Sequence, residues 1–520
     1  MFIKKSLLLL LIITGSSFLV GQVRFSTDFD SGSMGSYQML DSIWIKRGAN
    51  DSILAMTFEV HSRFDPLNPV DTALRPSARW YHFRIEGVKD KQIFLNIKNS
   101  EVIRPFYSYD GVNYQRFEEV ENIFKGSINK VFTRDTVYIS HFHPYTYARH
   151  KEKLEEWKER PFVSHEIIGE SYLGLPIEML TVTDESVNDS HKKRVWIHGR
   201  SHPSECPSSW HFEAMINEIV SDTPFAQELR KNTIFYLIPF INPDGVIGGY
   251  SRSTSTGVNI EINWDRPDSL TMPEVKVLRK TLERVTAERP LDMLLNMHSQ
   301  IASSITYWIH TAESTTDRFF RDQVLLSALT INYSPYYRPV DQRFSAVAPR
   351  YVEGWIWDRF GGNTLAITFE TPYTFYNEDR SGTWVSLDNL KELGYSSLYA
   401  VSDILNLDRQ NRILIDPEDN SSPRRWRRIS ENDHIFFGDT YLEAERAGAR
   451  LRYTTSNLPR GEYILYRWNV GPAENTFPED TNIWTEEAIV IQRRDGKFTY
   501  TIRAFEEGEK RDAILLVRRK

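Results

Sequence analysis

The fold of this chain is decided by one stretch, Trp196-Ile197-His198-Gly199-Arg200-Ser201-His202-Pro203-Ser204-Glu205. It starts in a short apolar run, continues as a polar loop, and precedes a segment whose apolar residues repeat at helical spacing. A strand, a loop and a helix in this order form the repeating unit of α/β sheets, where ligands gather beyond the carboxyl ends of the strands. The stretch therefore predicts an α/β domain and draws attention to His202 and Glu205.

The same alternation of elements extends from about residue 160 to residue 408. Apolar runs indicate further strands at 234–238, 293–295 and 365–368, and helical spacing indicates a helix at 272–287. Buried strands that alternate with amphipathic helices are typical of parallel sheets covered on both sides. We expect an α/β fold with a mixed, mostly parallel sheet and helices on both faces.

Two β-rich regions flank this domain. Residues 24–150 contain runs with alternating apolar residues, such as 80–85 and 92–97, which predict a small antiparallel N-terminal β domain. The polar stretch 416–423 indicates a linker. Renewed alternation beyond it predicts a C-terminal β-sandwich domain over 430–520, either a brace for the α/β domain or a module that contacts glycans or surfaces.

The N-terminus has the pattern of a secretory signal peptide over residues 1–21. Lys4 and Lys5 precede an apolar run from Leu7 to Ile13, and small residues follow. Even when extended to Val20 the run has 14 residues, fewer than the roughly 20 that span a bilayer. We expect a secreted or periplasmic protein without stable membrane insertion after removal of the signal.

Charge and cysteine content narrow the function classes. The formal charge is −7, and loss of Lys4 and Lys5 with the signal makes it about −9, which argues against nucleic acid as a partner. Cys206 is the only cysteine, so intrachain disulfides and cysteine-based structural zinc sites are excluded.

Candidate metal ligands stand where predicted strands end. His298 ends the run that starts at Leu294, and Glu370 ends the run that starts at Ile367. With His202 and Glu205 they offer two imidazoles and a carboxylate, a set that leaves an open position on Zn²⁺ for water, plus a second carboxylate to shuttle a proton. The spacing alone is equally compatible with polar residues that satisfy loop backbone groups.

The order of several motifs resembles the zinc carboxypeptidase family (M14). The motifs are His202-Pro203-Ser204-Glu205, Asn242-Pro243-Asp244-Gly245, Arg252, His298 and Glu370. The chain is most similar to the cytosolic-carboxypeptidase branch, also represented in bacteria, which carries a β domain ahead of the catalytic one. Trp80-Tyr81-His82-Phe83-Arg84 and His143-Pro144-Tyr145-Thr146-Tyr147 resemble stretches of that domain, and the likeness covers about residues 45–405.

The resemblance implies a role for each matched residue. One Zn²⁺ per chain would be bound by His202, Glu205 and His298, and Glu370 would be the general base. Arg252 would polarise the scissile carbonyl and stabilise the oxyanion. The implied substrate is a peptide or a peptide-like molecule.

One segment departs from the family pattern. The family has Gly-x-Asp-Leu-Asn-Arg-Asn, whose Asn-Arg pair binds the terminal carboxylate of the substrate, whereas this chain has Gly257-Val258-Asn259-Ile260-Glu261-Ile262-Asn263. Isoleucine cannot form the paired bonds of an arginine fork, and glutamate repels a carboxylate. Glu261 would suit an amine or another cationic group, as in diaminopimelate-containing wall peptides, or an internal amide. Glu261, Asn263 and Tyr351 are therefore the candidate substrate-binding residues.

Three functions follow from these observations. The first is a zinc-dependent metallopeptidase of carboxypeptidase type with an atypical substrate-carboxylate pocket. The second is an endopeptidase or amidase that acts on cell-wall peptides. The third, motivated by the missing Asn-Arg pair and the appended β domain, is a catalytically inactive protein that binds peptide or glycan on the same fold.

Overall fold

The computed structural model describes residues 23–101, 104–337, 342–374, 384–430, 434–472 and 483–519. The predicted signal peptide lies outside these ranges. Among the helices within them, none is both long enough and apolar enough to cross a membrane.

The N-terminal region packs two five-stranded sheets around one core. Its strands are β1 (Arg24–Ser26), β2 (Ser36–Lys46), β3 (Ser52–His61), β4 (His82–Glu86), β5 (Gln92–Lys98), β6 (Phe106–Ser108), β7 (Gln115–Arg116), β8 (Asn122–Phe124), β9 (Ser127–Val131) and β10 (Thr136–Ser140). The sheet orders are β1-β4-β10-β6-β7 and β2-β3-β5-β9-β8. Alternate residues, Phe83 and Ile85 in one sheet and Ile93 and Leu95 in the other, fill the core. The prediction of a purely antiparallel domain is wrong in one place. The chain crosses to the other sheet between β3 and β5, so these two strands pair in parallel.

The catalytic region follows, with an eight-stranded sheet and helices on both faces. Its strands are β11 (Val163–Glu170), β12 (Pro176–Val182), β13 (Lys193–Gly199), β14 (Thr233–Ile238), β15 (Met293–Gln300), β16 (Ile305–Ile309), β17 (Gln342–Ala346) and β18 (Leu365–Pro372). Its helices are α1 (Tyr147–Lys158), α2 (Cys206–Ile219), α3 (Pro224–Asn232), α4 (Pro243–Ile247), α5 (Pro273–Val285), α6 (Asp317–Tyr333), α7 (Val352–Phe360) and α8 (Leu387–Leu405). Short 3-10 helices span Glu119–Glu121, Asp189–His191, Ile260–Ile262, Asp268–Leu270 and Gly361–Asn363.

The sheet order is β11-β12-β14-β13-β15-β18-β16-β17. The central strands β14, β13, β15 and β18 are parallel. β12 pairs antiparallel with both β14 and β11, and β16, which is parallel to β17, pairs antiparallel with β18. Met293 and Leu295 of β15 pack in the cluster that contains residues of α2, α6 and α8, and Leu294 between them packs in the cluster that contains residues of α5 and α7. The predicted mixed sheet with helices on both faces is therefore confirmed.

The C-terminal region is also β-rich, as expected. Its elements are β19 (Arg412–Ile415), α9 (Pro417–Asn420), β20 (Trp426–Ile429), β21 (His434–Ile435), β22 (Tyr441–Ala444), β23 (Arg450–Leu458), β24 (Gly461–Trp468), β25 (Gly471–Pro472), β26 (Trp484–Gln492), β27 (Gly496–Arg503), β28 (Lys510–Arg511) and β29 (Ile514–Arg518). The sheet β19-β29-β24-β26 shares a core cluster with residues of β20, β22, β23 and β27. Because β19 pairs with β29, this region begins before the polar stretch 416–423, which contains α9.

One buried histidine connects the sheet to its covering helices. His211 of α2 is fully buried, and its two ring nitrogens lie 3.0 Å from the hydroxyl of Thr371 in β18 and 3.0 Å from that of Ser397 in α8. Burial lowers the pKa of His211 to about 3. The native imidazole therefore stays neutral at a pH where an unfolded histidine, with a pKa near 6.5, becomes protonated.

This difference predicts acid sensitivity that depends on His211. The unfolded state gains a proton as pH falls from 7.5 to 5 and the native state does not, so this site removes about 2 kcal/mol from the free energy of unfolding. We expect His211→Gln to be less stable at pH 7.5 but to lose about 2 kcal/mol less than wild type on acidification, measured by urea unfolding. His191→Gln, at an exposed position, is the control. Equal pH dependence of His211→Gln and wild type would contradict the prediction.

Candidate metal centre

The loop between β13 and α2 is held in place by buried polar contacts. The guanidinium of Arg200 donates to the carbonyl of Pro203 at 2.8 and 3.0 Å and to the hydroxyl of Ser209 at 2.8 Å. Asn242 Nδ2 donates to the carbonyl of Ser201 at 3.0 Å and to that of Ser253 at 3.3 Å. Asn242 thus connects the loop with His202 to the loop with Arg252.

Three predicted ligands converge at the carboxyl end of the sheet. Nδ1 of His202 lies 2.7 Å from Oε1 of Glu205, Nδ1 of His298 lies 2.9 Å from Oε2, and the two Nδ1 atoms are 3.1 Å apart. All three side chains are buried, with at most 6% of their surface exposed. Ligands of a tetrahedral zinc are roughly 3.3 Å apart, because each lies about 2.0 Å from the metal. The donor types and their separations therefore fit Zn²⁺.

The charges of this cluster stabilise one another. Burial lowers the pKa of His298, but the negative charge of Glu205 outweighs burial and raises it to about 9. Burial raises the pKa of Glu205, but His202 and His298 together keep it well below its ordinary value. Such an arrangement of acid and imidazole groups is a compact site for a divalent cation, which replaces the protons on the imidazoles.

Glu370 lies on the strand next to His298. The two residues are partners in the parallel register of β18 and β15. Oε1 of Glu370 accepts a hydrogen bond from Trp308 Nε1 at 3.1 Å, and Oε2 is buried without a hydrogen-bond partner among the described residues. Burial, followed by the charge of Glu205, raises the pKa of Glu370. Glu370 is therefore a carboxylate with an available oxygen and an increased affinity for protons.

Arg252 reaches the same cluster from a loop that the N-terminal region supports. Its Nη1 donates to Glu205 Oε1 at 3.3 Å, and its Nη2 donates to Glu261 Oε2 at 3.1 Å. Asp65, between β3 and β4, accepts the backbone N–H groups of Ser251, Arg252 and Ser253 at 2.6, 2.8 and 3.1 Å. Sequence reasoning did not identify Asp65, since 187 residues separate it from Arg252 and no motif connects them.

The predicted substrate-binding residues have different surroundings. Asn263 is buried, accepts from Met272 N at 2.8 Å and donates to the carbonyl of Leu270 at 3.2 Å, so its amide stabilises a turn. Tyr351 lies at the start of α7 with its ring 5.6 Å from that of Trp308. Trp308 is the residue that donates a hydrogen bond to Glu370. Glu261 is 7% exposed and contacts the metal-ligand cluster.

The fold is similar to that of solved metallo-carboxypeptidases. A metallo-carboxypeptidase from Burkholderia cenocepacia has a similar structure, with a TM-score of 0.59 and 21% sequence identity, over 73% of this chain and 97% of that one. A metallo-carboxypeptidase from Pseudomonas aeruginosa matches with a TM-score of 0.56 and 21% identity, over 74% of this chain and all of that one.

Sequence comparison finds a similarity to the same class of proteins. Residues 152–362 match the model of the zinc carboxypeptidase family, peptidase M14. Cytosolic carboxypeptidase 6 of Mus musculus is 24% identical over 341 residues, which cover 60% of this chain and 59% of the relative. The chain thus spans less than two thirds of this relative. The matched segment contains His202, Glu205, Arg252 and His298 but ends before Glu370.

The geometry of the cluster predicts metal stoichiometry. We expect one zinc per wild-type chain, and more than about 100-fold weaker zinc binding in His298→Ala, because loss of a mere outer partner of a ligand already costs 10–100-fold. Zinc in purified, dialysed protein is measured by plasma mass spectrometry and the affinity by chelator competition. His191→Ala should bind zinc like wild type. Stoichiometric zinc of unchanged affinity in His298→Ala would contradict the ligand assignment.

Proposed function

We propose that this chain is a secreted, zinc-dependent metallopeptidase of carboxypeptidase type that hydrolyses peptide or amide bonds. The observation that carries the proposal is the convergence of His202, Glu205 and His298 beside the available oxygen of Glu370. The family match of the segment with the ligands supports the same chemistry.

The side chains divide the chemical work between them. Zn²⁺ bound by His202, Glu205 and His298 supplies a Lewis acid that polarises a carbonyl and lowers the pKa of water. Glu370 accepts the proton of the attacking water on Oε2 and later donates it to the leaving amine. The resemblance to the zinc carboxypeptidases assigns Arg252, which lies beside Glu205 and Glu261, to the stabilisation of the carbonyl oxygen as it gains charge, which would lower the energy of the transition state.

The endopeptidase or amidase alternative is favoured by one specific observation. Ile262 stands where related enzymes have the arginine of the Asn-Arg pair, so the usual carboxylate fork is missing from this segment. Matched peptides with free and amidated C-termini distinguish the alternatives. Cleavage restricted to free C-termini would identify an exopeptidase, and internal cleavage of both sets would identify an endopeptidase.

Secretion is part of the proposal and rests on the pattern of residues 1–21. The sequence relatives reported above are named cytosolic carboxypeptidases, so location is an independent question. N-terminal sequencing of the protein from the extracytoplasmic fraction tests it. A mature chain that starts near Gly21 supports secretion, and an intact Met1 in the cytosolic fraction refutes it.

The C-terminal region is proposed as a brace for the catalytic domain. Arg412 of β19 pairs with Asp403 of α8 at 2.7 Å and also donates to the hydroxyl of Tyr333 in α6 at 2.8 Å. Arg321 of α6 donates to the carbonyl of Gly438 at 2.8 Å. These largely buried contacts favour a structural role over a freely presented glycan-binding module.

Glu370→Gln tests the catalytic assignment. The amide keeps the shape of the side chain but cannot accept the proton, so we expect zinc to be retained and kcat to fall about 10²–10⁴-fold. Turnover of a peptide panel and zinc content are measured on the same preparation. If wild type and variant are equally inert on peptides and amides although both bind zinc, the protein binds its ligand without cleaving it and the proposal is wrong.

Asp65→Asn tests the support of Arg252 by the N-terminal region. Asparagine has one acceptor oxygen for three N–H groups that now use two, so the loop loses part of its anchor. We expect kcat to fall by about tenfold, the cost of roughly one lost hydrogen bond, with zinc content unchanged. Asp51→Asn, at the exposed end of the β2–β3 hairpin, is the control. Unaltered kcat in Asp65→Asn would show that Arg252 is oriented without Asp65.

A further inference from the structure

Glu261 lies on the outer side of the imidazole ligands. Its Oε2 is 3.1 Å from Nε2 of His202, and its Oε1 is 4.0 Å from Nε2 of His298. Both Nδ1 atoms point the other way, toward Glu205. Glu261 is thus within hydrogen-bond distance of the ring nitrogen of His202 that faces away from the metal position, and lies near the corresponding nitrogen of His298.

The same carboxylate also binds Arg252. Nη2 of Arg252 donates to Oε2 of Glu261 at 3.1 Å while its Nη1 donates to Glu205. Burial raises the pKa of Glu261, but the charges of His202, His298 and Arg252 outweigh burial and lower it well below its ordinary value. A side chain that is 7% exposed and already paired with these groups has little capacity left for a cation from solution.

We infer that Glu261 is a positioning residue for the zinc site, which fixes the ring orientation of His202 and the place of Arg252, and is not the counter-charge of a substrate amine. A histidine that ligates metal through one nitrogen almost always donates the other N–H to an outer acceptor, which fixes the tautomer and increases ligand basicity. Glu261 makes Nε2 the protonated nitrogen of His202 and leaves the lone pair of Nδ1 for the metal. The inference rests on the zinc site of the proposed function.

The neighbouring sequence explains why a carboxylate is required at this position. Asn259 occupies the place of the family's aspartate, and its Oδ1 also lies 3.1 Å from Nε2 of His202. A neutral amide oxygen is a weaker acceptor than a carboxylate. In this chain the carboxylate that contacts Nε2 of His202 stands two residues later, at Glu261. The short helix Ile260–Ile262 directs it to that nitrogen.

The substrate class changes with this assignment. If Glu261 is occupied by His202 and Arg252, the subsite beside Ile262 presents neither an arginine fork for a carboxylate nor a free anion for an amine. The group that enters it is then uncharged, such as the backbone of a peptide that continues beyond the cleaved bond or an amidated end.

Zinc affinity decides the assignment independently of catalysis. We expect Glu261→Gln to bind zinc 10–100-fold more weakly than wild type in chelator competition, and to shift the visible absorption of the cobalt-substituted protein. Glu261→Asn should show a similar loss, and the double variant Asn259→Asp/Glu261→Asn, which returns the carboxylate to position 259, should recover most of the affinity. Glu274→Gln, a buried carboxylate outside the cluster, is the matched control.

Other outcomes overturn the inference. Wild-type zinc affinity in Glu261→Gln, together with a raised KM only for substrates that carry an amine, would make Glu261 a substrate residue. If Glu261→Gln does not fold, as judged by circular dichroism, Glu261→Asp keeps the charge with a shorter reach, and its unchanged affinity and cobalt spectrum would equally refute positioning. A wild type that binds zinc but cleaves nothing refutes the proposed function, whereas the affinity comparison still stands.

Discussion

The structure of the catalytic region depends on the compensation of charge in a buried cluster. Glu205, Glu261 and Glu370 lie within one small volume, where each unpaired carboxylate would cost several kcal/mol. Arg252 supplies a positive charge beside Glu205 and Glu261, and the imidazoles of His202 and His298 are close partners of these carboxylates. The positions of the loops that carry these groups therefore depend on one another. A divalent cation would offset the remaining negative charge of the carboxylates.

The parallel strands make this cluster possible. β13 and β15 are neighbours in parallel register, as are β15 and β18, so residues at their carboxyl ends meet at one edge of the sheet. His298 and Glu370 lie side by side for this reason, and His202 follows β13 directly. Asn242 and Arg200 then fix the loops by donating hydrogen bonds to their backbone carbonyls.

Sequence patterns predicted the α/β sheet and the polar residues at the ends of its strands, because both depend on local order along the chain. Strand ends followed by His or Glu identified His298 and Glu370, and alternation identified the flanking β regions. Contacts between distant segments were not predictable: Asp65 is remote from Arg252 in sequence, and nothing near it forms a motif. Glu261 was recognised as a departure, but its direction toward His202 depends on the turn of a short helix. The hydrogen bonds of Asn263 to Leu270 and Met272 likewise had no signal in the sequence.

The support of residues 251–253 by Asp65 has a consequence for the independence of the two regions. Gly257, at φ 85°, packs so closely on the same N-terminal loop that a Cβ atom there would collide with the carbonyl oxygen of Leu67. Three consecutive N–H groups of the catalytic region have their acceptor in the N-terminal region. The β domain is therefore not an exchangeable accessory. The two regions hold the loop of Arg252 together, and recombination or grafting between homologues would have to transfer them as a single unit.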